Sequence, residues 1–316
     1  MVFGFKQRLR MDSILELPAE SYAYNLLAEH TLDSLDTQHI GEPVVLTCRE
    51  SGAGRPVLLL PGLWSTSFAF RKLVQPLSRE YRIILPDLYD PSRRVVLPSL
   101  NYRPEGLAPW IQKICQALHL EKPLVVAHGE TGMAALLLAL DQPALFGALL
   151  LVGTQVDLDP ALHRKGVFLS RRRLRDWWAK RNFRDPFRAA LKMLPYVNPT
   201  LASRQELRHL ARLWTTLPRA RLTAQVLGQT VHEDYRIAFW KTLLEFAAQG
   251  GRPAIPIKWI IGDRETHILP AHRDRLTQIL PGMELIIAEQ SSSDVHVERP
   301  AWLIELIRSL TTPVDA

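Results

Sequence analysis

The residues best suited to chemistry fall in three short stretches. In the middle of the chain, Ala127-His128-Gly129-Glu130-Thr131-Gly132 places an imidazole and a carboxylate on either side of a glycine. Toward the C-terminus, Gly262 and Glu265 follow an apolar run, and SSSDVHVERP gathers the hydroxyls of Ser291, Ser292 and Ser293 with Asp294, His296 and Glu298. Earlier, Pro61 and Gly62 form a turn pair that can present backbone amides. Brought together, His128, Glu130, Glu265 and His296 would supply groups for proton transfer, with burial shifting their pKa values. The two cysteines, Cys48 and Cys115, lie far apart and outside any metal-ligand spacing, so we read them as buried thiols. Neither a metal nor a cofactor is expected.

These stretches sit at the ends of expected strands. Apolar runs at 43–48, 56–60, 81–86, 123–127, 148–153, 255–261 and 283–288 read as strands. Helical periodicity at 68–77, 104–118, 131–140, 271–280 and 301–310 alternates with them. Such alternation predicts an α/β fold, a mostly parallel central sheet flanked by helices. The rhythm breaks after position 156, and residues 157–252 read almost wholly as helix. Asp185-Pro186 opens one helix, Pro195 ends it, and Ser203 with Glu206 forms a capping box for the next. We take this as a helical cap inserted after the strand at 148–153, with 40–156 and 253–316 as the core and 1–39 as an N-terminal segment without a clear pattern.

Three segments read together, SGAGRPVLLLPGLWSTSFAF, KPLVVAHGETGMAALLLAL and the stretch from Pro253 to Ile307, resemble the α/β-hydrolase family of esterases, epoxide hydrolases and carbon–carbon bond hydrolases. The resemblance implies an oxyanion hole built from the amides of Leu63 and Glu130, with Gly62 and Trp64 on the ligand side. It implies a nucleophile elbow, usually spelled G-H-S-x-G-G, whose apex here is Gly129. Sliding the register to Thr131 would force Met133 into a crowded turn and abandon His128. The G-x-x-D/E pattern puts the acid at Glu265. Counting back from Glu298 and Pro300 in G-H-x-x-x-x-E-x-P puts the base at Ser293.

The resemblance thus implies a nucleophile position filled by glycine and a base position filled by serine. His128, Glu130 and His296 remain as rescue candidates, although His128 also reads as a satisfied buried histidine and His296 as a structural one. His267 and Asp294 read as solvated loop residues, and Asp157 as a helix-entry cap in a place where some relatives carry the acid. Asp87-Leu88-Tyr89-Asp90-Pro91 lacks both glycines of the family's D-x-x-G-x-G loop.

With two of three positions vacant, hydrolysis through an acyl-enzyme is not expected, because a triad acts as one unit. The expectation is a non-hydrolytic protein binding an acyl-like or hydrophobic ligand, or a protein partner, between core and cap. Hydrolase or lyase chemistry by relocated groups is the alternative. The charge suggests a further partner class. Net charge is +7, and 19 basic against 8 acidic residues fall between positions 155 and 252. In FLSRRRLRDWWAKRNFRDPFRAALKML, Leu174, Trp177, Trp178, Phe183, Phe187, Leu191 and Leu194 recur at helical spacing among these charges. Docking on an acidic membrane or an acidic protein is the reading this supports. Nucleic acid is not expected, since no binding module accompanies the charge. No apolar run reaches the roughly 18 residues of a membrane span, and the first residues lack a signal-peptide core, so a cytoplasmic protein is expected.

Overall fold

The computed structural model describes residues 28–35, 44–62, 67–86, 88, 101–156, 168, 171–185, 211, 215–230, 233–265, 268 and 270–311. Eight strands form one sheet: β1 (Ala28–Leu35), β2 (Val44–Ser51), β3 (Pro56–Leu60), β4 (Arg82–Pro86), β5 (Leu124–His128), β6 (Ala148–Val152), β7 (Ile257–Gly262) and β8 (Met283–Ala288). Their spatial order is β1-β2-β4-β3-β5-β6-β7-β8. The two pairings made by β2 are antiparallel and all others are parallel.

The central strands are apolar at almost every position because both sheet faces are covered. Alternation along each strand then divides them between two cores. Leu58, Leu60, Val125, Ala127 and Trp259 pack on one face. Val57, Leu59, Val126, Leu150 and Ile260 pack on the other, against Phe70, Leu303 and Ile307. The helices around this sheet are α1 (Arg71–Leu77), preceded by a 3-10 turn at Ser67–Phe70, α2 (Pro104–Ala117), α3 (Glu130–Asp141), α7 (Pro270–Ile279), α8 (Val295–Glu298) and α9 (Pro300–Thr311). Pro104 stands in the first turn of α2, where its missing N–H costs nothing. Both cysteines are free and buried, and burial pushes the Cys115 thiol up to about 12.

The sheet extends beyond the boundary expected at position 40. Strand β1 pairs with β2 along the outer edge, with an irregularity between Leu32 and Leu35. Its sequence, AEHTLDSL, has little apolar alternation, so pairing with β2 defines the strand.

Between β6 and β7 the described residues form three helices, α4 (Arg172–Phe183), α5 (Leu217–Thr230) and α6 (Glu233–Ala248). Helix α4 packs on α5, and Asp176 and Arg221 form an ion pair between them at 3.4 Å. Arg236 of α6 donates to the Gln155 carbonyl at 2.8 Å, tying the insertion to the chain leaving β6. The apolar stripe expected along α4 needs correction. Ala179 and Asn182 are its buried residues and Trp178 is half-buried, whereas Trp177 is 53% exposed and Phe183 38%. The inward face therefore follows 178, 179 and 182, and a small residue with an amide replaces part of the aromatic stripe. The capping signals at 185–206 and the positions Phe187, Leu191 and Leu194 lie at or beyond the edge of the described residues. No described helix is long and apolar enough to cross a membrane.

Candidate functional site

The chemically capable residues collect at the C-terminal ends of the parallel strands, where loops between strand and helix diverge. Strand β5 ends at His128, α3 begins at Glu130, and Gly129 alone makes the turn with φ +59° and ψ −130°. Side chains rarely adopt this left-handed φ. A Cβ at Gly129 would meet only the Gly62 Cα, at 3.7 Å, so backbone strain rather than crowding selects glycine. The turn is braced on both sides. The Gly129 amide donates to the Val152 carbonyl at 3.1 Å. The Thr131 hydroxyl lies 2.8 Å from the His128 carbonyl and 3.2 Å from the Leu60 carbonyl, sharing its one proton between them. Thr131 is itself helical, and Gly132 sits so close to Thr154 that a Cβ would come within 2.0 Å of Oγ1.

The loop after β8 is clamped onto this turn. A Cβ at Gly262, which ends β7, would lie 2.0 Å from the Ser291 carbonyl oxygen. One at Gly153, after β6, would lie 2.3 Å from the Ser293 carbonyl oxygen. Glu298 holds the loop from the other side, accepting the Ser292 amide at 2.6 Å and the hydroxyls of Ser292 and Ser291 at 2.8 and 3.2 Å. Asp263 accepts the Ser291 amide at 3.1 Å, and the amides of Gln290 and Ser291 hold its carboxyl below the usual range. Ser293 is buried within this loop and offers a hydroxyl, not an imidazole.

Asp294 is the residue that sequence reasoning misplaced. A solvated loop residue was expected, but the residue is buried, and its Oδ1 stands 3.1 Å from Nε2 of His128. It occupies the position before α8, where aspartate normally caps a helix. Here its side chain makes no cap hydrogen bond. Its two-residue separation from His296 is the signal the sequence offers, and the polar run around it reads as a solvated loop.

His296 lies on the inner side of the pair, with Nε2 3.8 Å from the same Asp294 oxygen. Its ring packs between Phe70, 4.8 Å away, and His128, 4.5 Å away. Burial, and then the proximity of His128, hold His296 down to about 3, so it is neutral at ordinary pH. Burial also opposes charge on His128. The hydrogen bond and charge of Asp294, aided by Glu130 and Glu265, outweigh it and raise the His128 pKa. Burial likewise pushes Asp294 up, but His128, His296 and Arg71 bring its carboxyl below the usual range.

The structure thus brings His128, Asp294 and His296 into contact and sets buried Glu265 and half-buried Glu130 within electrostatic reach of His128. Gly62 flanks the ring, since a Cβ there would come within 2.9 Å of His128 Nδ1. Leu63, Trp64, Asp87, Tyr89, Asp90, Pro91, Asp157 and His267 lie outside the described residues. The arrangement can hold a proton between an imidazole and a carboxylate beside a glycine turn. Among the described residues it places no hydroxyl or thiol at that turn's apex.

Comparison with known proteins agrees with this geometry at the level of fold. A haloalkane dehalogenase from Agrobacterium tumefaciens C58 superposes with a TM-score of 0.71 at 18% identity, over 90% of this chain and 97% of that one. The epoxide hydrolase CorEH gives 0.70 at 18% identity, over 91% and 99%. An esterase from Thermogutta terrifontis gives 0.66 at 20% identity, over 89% and 97%. By sequence, the chain is 38% identical over 92 residues to the magnesium-chelatase 30 kDa subunit of Rhodobacter capsulatus, a match that spans 28% of this chain and 32% of that subunit. The family profile described as alpha/beta hydrolase fold matches residues 55–300, and the chain belongs to that family.

Proposed function

We propose that this chain is a non-hydrolytic member of the family, binding an acyl-like or hydrophobic ligand, or a protein partner, between the sheet and the helical cap. Gly129 carries this reading. It occupies the strained turn from which a nucleophile would attack, and it brings no side chain. The Ser293 position offers no base. Of the nearby imidazoles, His128 commits Nε2 to Asp294, and His296 is wholly buried. The partial likeness to a magnesium-chelatase subunit also favours a companion protein over a free-standing hydrolase. Assays with short and long acyl esters, thioesters and epoxides are expected to show no turnover above background. Turnover that Glu265→Gln or His296→Gln abolishes would overturn the proposal.

A second reading rests on the His128–Asp294 pair, which has the form of an oriented acid–base group. Lyase or hydrolase chemistry by these relocated groups would give a bell-shaped pH dependence that disappears in His128→Gln. For partners, the exposed Arg171, Arg172 and Arg173 beside Trp177 support docking of the cap on an acidic membrane or an acidic protein.

A further inference from the structure

We propose that His128, Asp294 and His296 bind one divalent transition-metal ion of the zinc class. The candidate ligand atoms of the three side chains lie within 4.8 Å of one another. Asp294 Oδ1 is the hub, 3.1 Å from Nε2 of His128 and 3.8 Å from Nε2 of His296. Ligands at about 2.0–2.2 Å from a tetrahedral ion sit roughly 3.4 Å apart, and these two separations straddle that figure. The remaining separation, between the two imidazoles, is at most 4.8 Å and must close by up to about 1.4 Å to reach it.

His296 supplies the independent observation. It is fully buried, and neither of its ring nitrogens has a hydrogen-bond partner among the described residues. A buried imidazole left unsatisfied costs free energy, and an ion bound at Nε2 would satisfy one of the two nitrogens. The charge around the cluster fits a cation. Asp294, Glu130 and Glu265 outnumber Arg71 and Lys72 among the charged groups that act on the three side chains. A dication would take the place of the proton held between His128 and Asp294, which is how metal ions compete with protons for such donors.

The donor set selects the metal class. Two imidazoles and one carboxylate suit zinc, cobalt and their neighbours, whereas magnesium and calcium prefer sets made of oxygen. Three protein ligands also leave a position for water or a ligand atom. The His128 and Asp294 side chains are 14% and 11% exposed, against 1% for His296, so they form the approachable side. Metal binding here is independent of whether the protein hydrolyses anything.

Full-length protein stripped with a chelator and titrated with Zn²⁺ by calorimetry should take up one equivalent, and Co²⁺ should give visible ligand-field bands. His128→Asn and Asp294→Asn, both on the approachable side, should each weaken Zn²⁺ binding at least about tenfold while circular dichroism stays unchanged. If either variant fails to fold, paramagnetically shifted imidazole resonances in the Co²⁺-loaded wild-type protein decide the question. No stoichiometric uptake, wild-type affinity in a folded variant, absent imidazole shifts, or Mg²⁺ binding as tight as Zn²⁺ would overturn the proposal.

Discussion

Nε2 of His128, the last residue of β5, meets Oδ1 of Asp294, the residue preceding α8, at 3.1 Å. Because this carboxylate is what raises the imidazole's pKa against its burial, Asp294→Asn should bring the His128 titration down. In wild-type protein without added metal, NMR of the imidazole resonances should place that midpoint above the ordinary value of about 6.5. A midpoint unmoved by the substitution would break the link. The pair stabilises the fold only while both partners are charged. Its contribution is lost as pH rises through the raised His128 value, and lost again as pH falls through the lowered Asp294 value.

His296 acts in the opposite sense to His128. Its pKa in the folded protein, about 3, lies below the unfolded value, so between these two the unfolded chain binds more protons. Stability should therefore fall as pH is lowered from about 6.5 toward 3. Urea midpoints measured over that range should decline more steeply for wild-type protein than for His296→Leu, which has no proton to take up.

Gly129→Ser should cost about 1–3 kcal/mol in denaturant unfolding, from backbone strain at φ +59° rather than from a clash. The added hydroxyl should not by itself restore ester hydrolysis. In a serine–histidine unit, loss of either member costs about a millionfold, and no imidazole stands at Ser293.

The loop that carries Asp294 depends on two glycines at strand ends. Gly262→Ala would drive a Cβ into backbone oxygens of Ser291 and Ser292, at 2.0 and 2.3 Å, and should destabilise by about 1–3 kcal/mol or more. It should also displace Asp294 and lower the His128 titration midpoint. Gly250→Ala is the control. Its φ is +74° but nothing lies within 4 Å, so it should cost about 1 kcal/mol and leave His128 unchanged.

Changing Arg171, Arg172 and Arg173 together to glutamate should leave the melting temperature nearly unchanged, since all three are exposed. If the cap docks on acidic surfaces, the same change should abolish salt-sensitive binding to anionic vesicles in a flotation assay. Absent or salt-insensitive binding by wild-type protein would remove that role.

The sequence by itself determined much of the scaffold. Apolar runs and helical periods located seven of the strands and five of the core helices, all but α8, to within a few residues, and the break after position 156 marked the helical insertion. The Ala127–Gly132 stretch located the turn at Gly129, because small residues and a positive-φ glycine are requirements local to that turn. Strand β1, the outward Trp177 and the His128–Asp294–His296 cluster were decided only by tertiary structure. Periodicity records which face a residue presents to its own helix or strand. It does not record that the chain before α8 returns to the end of β5, where burial and close approach make an aspartate of a polar loop the partner of a distant histidine.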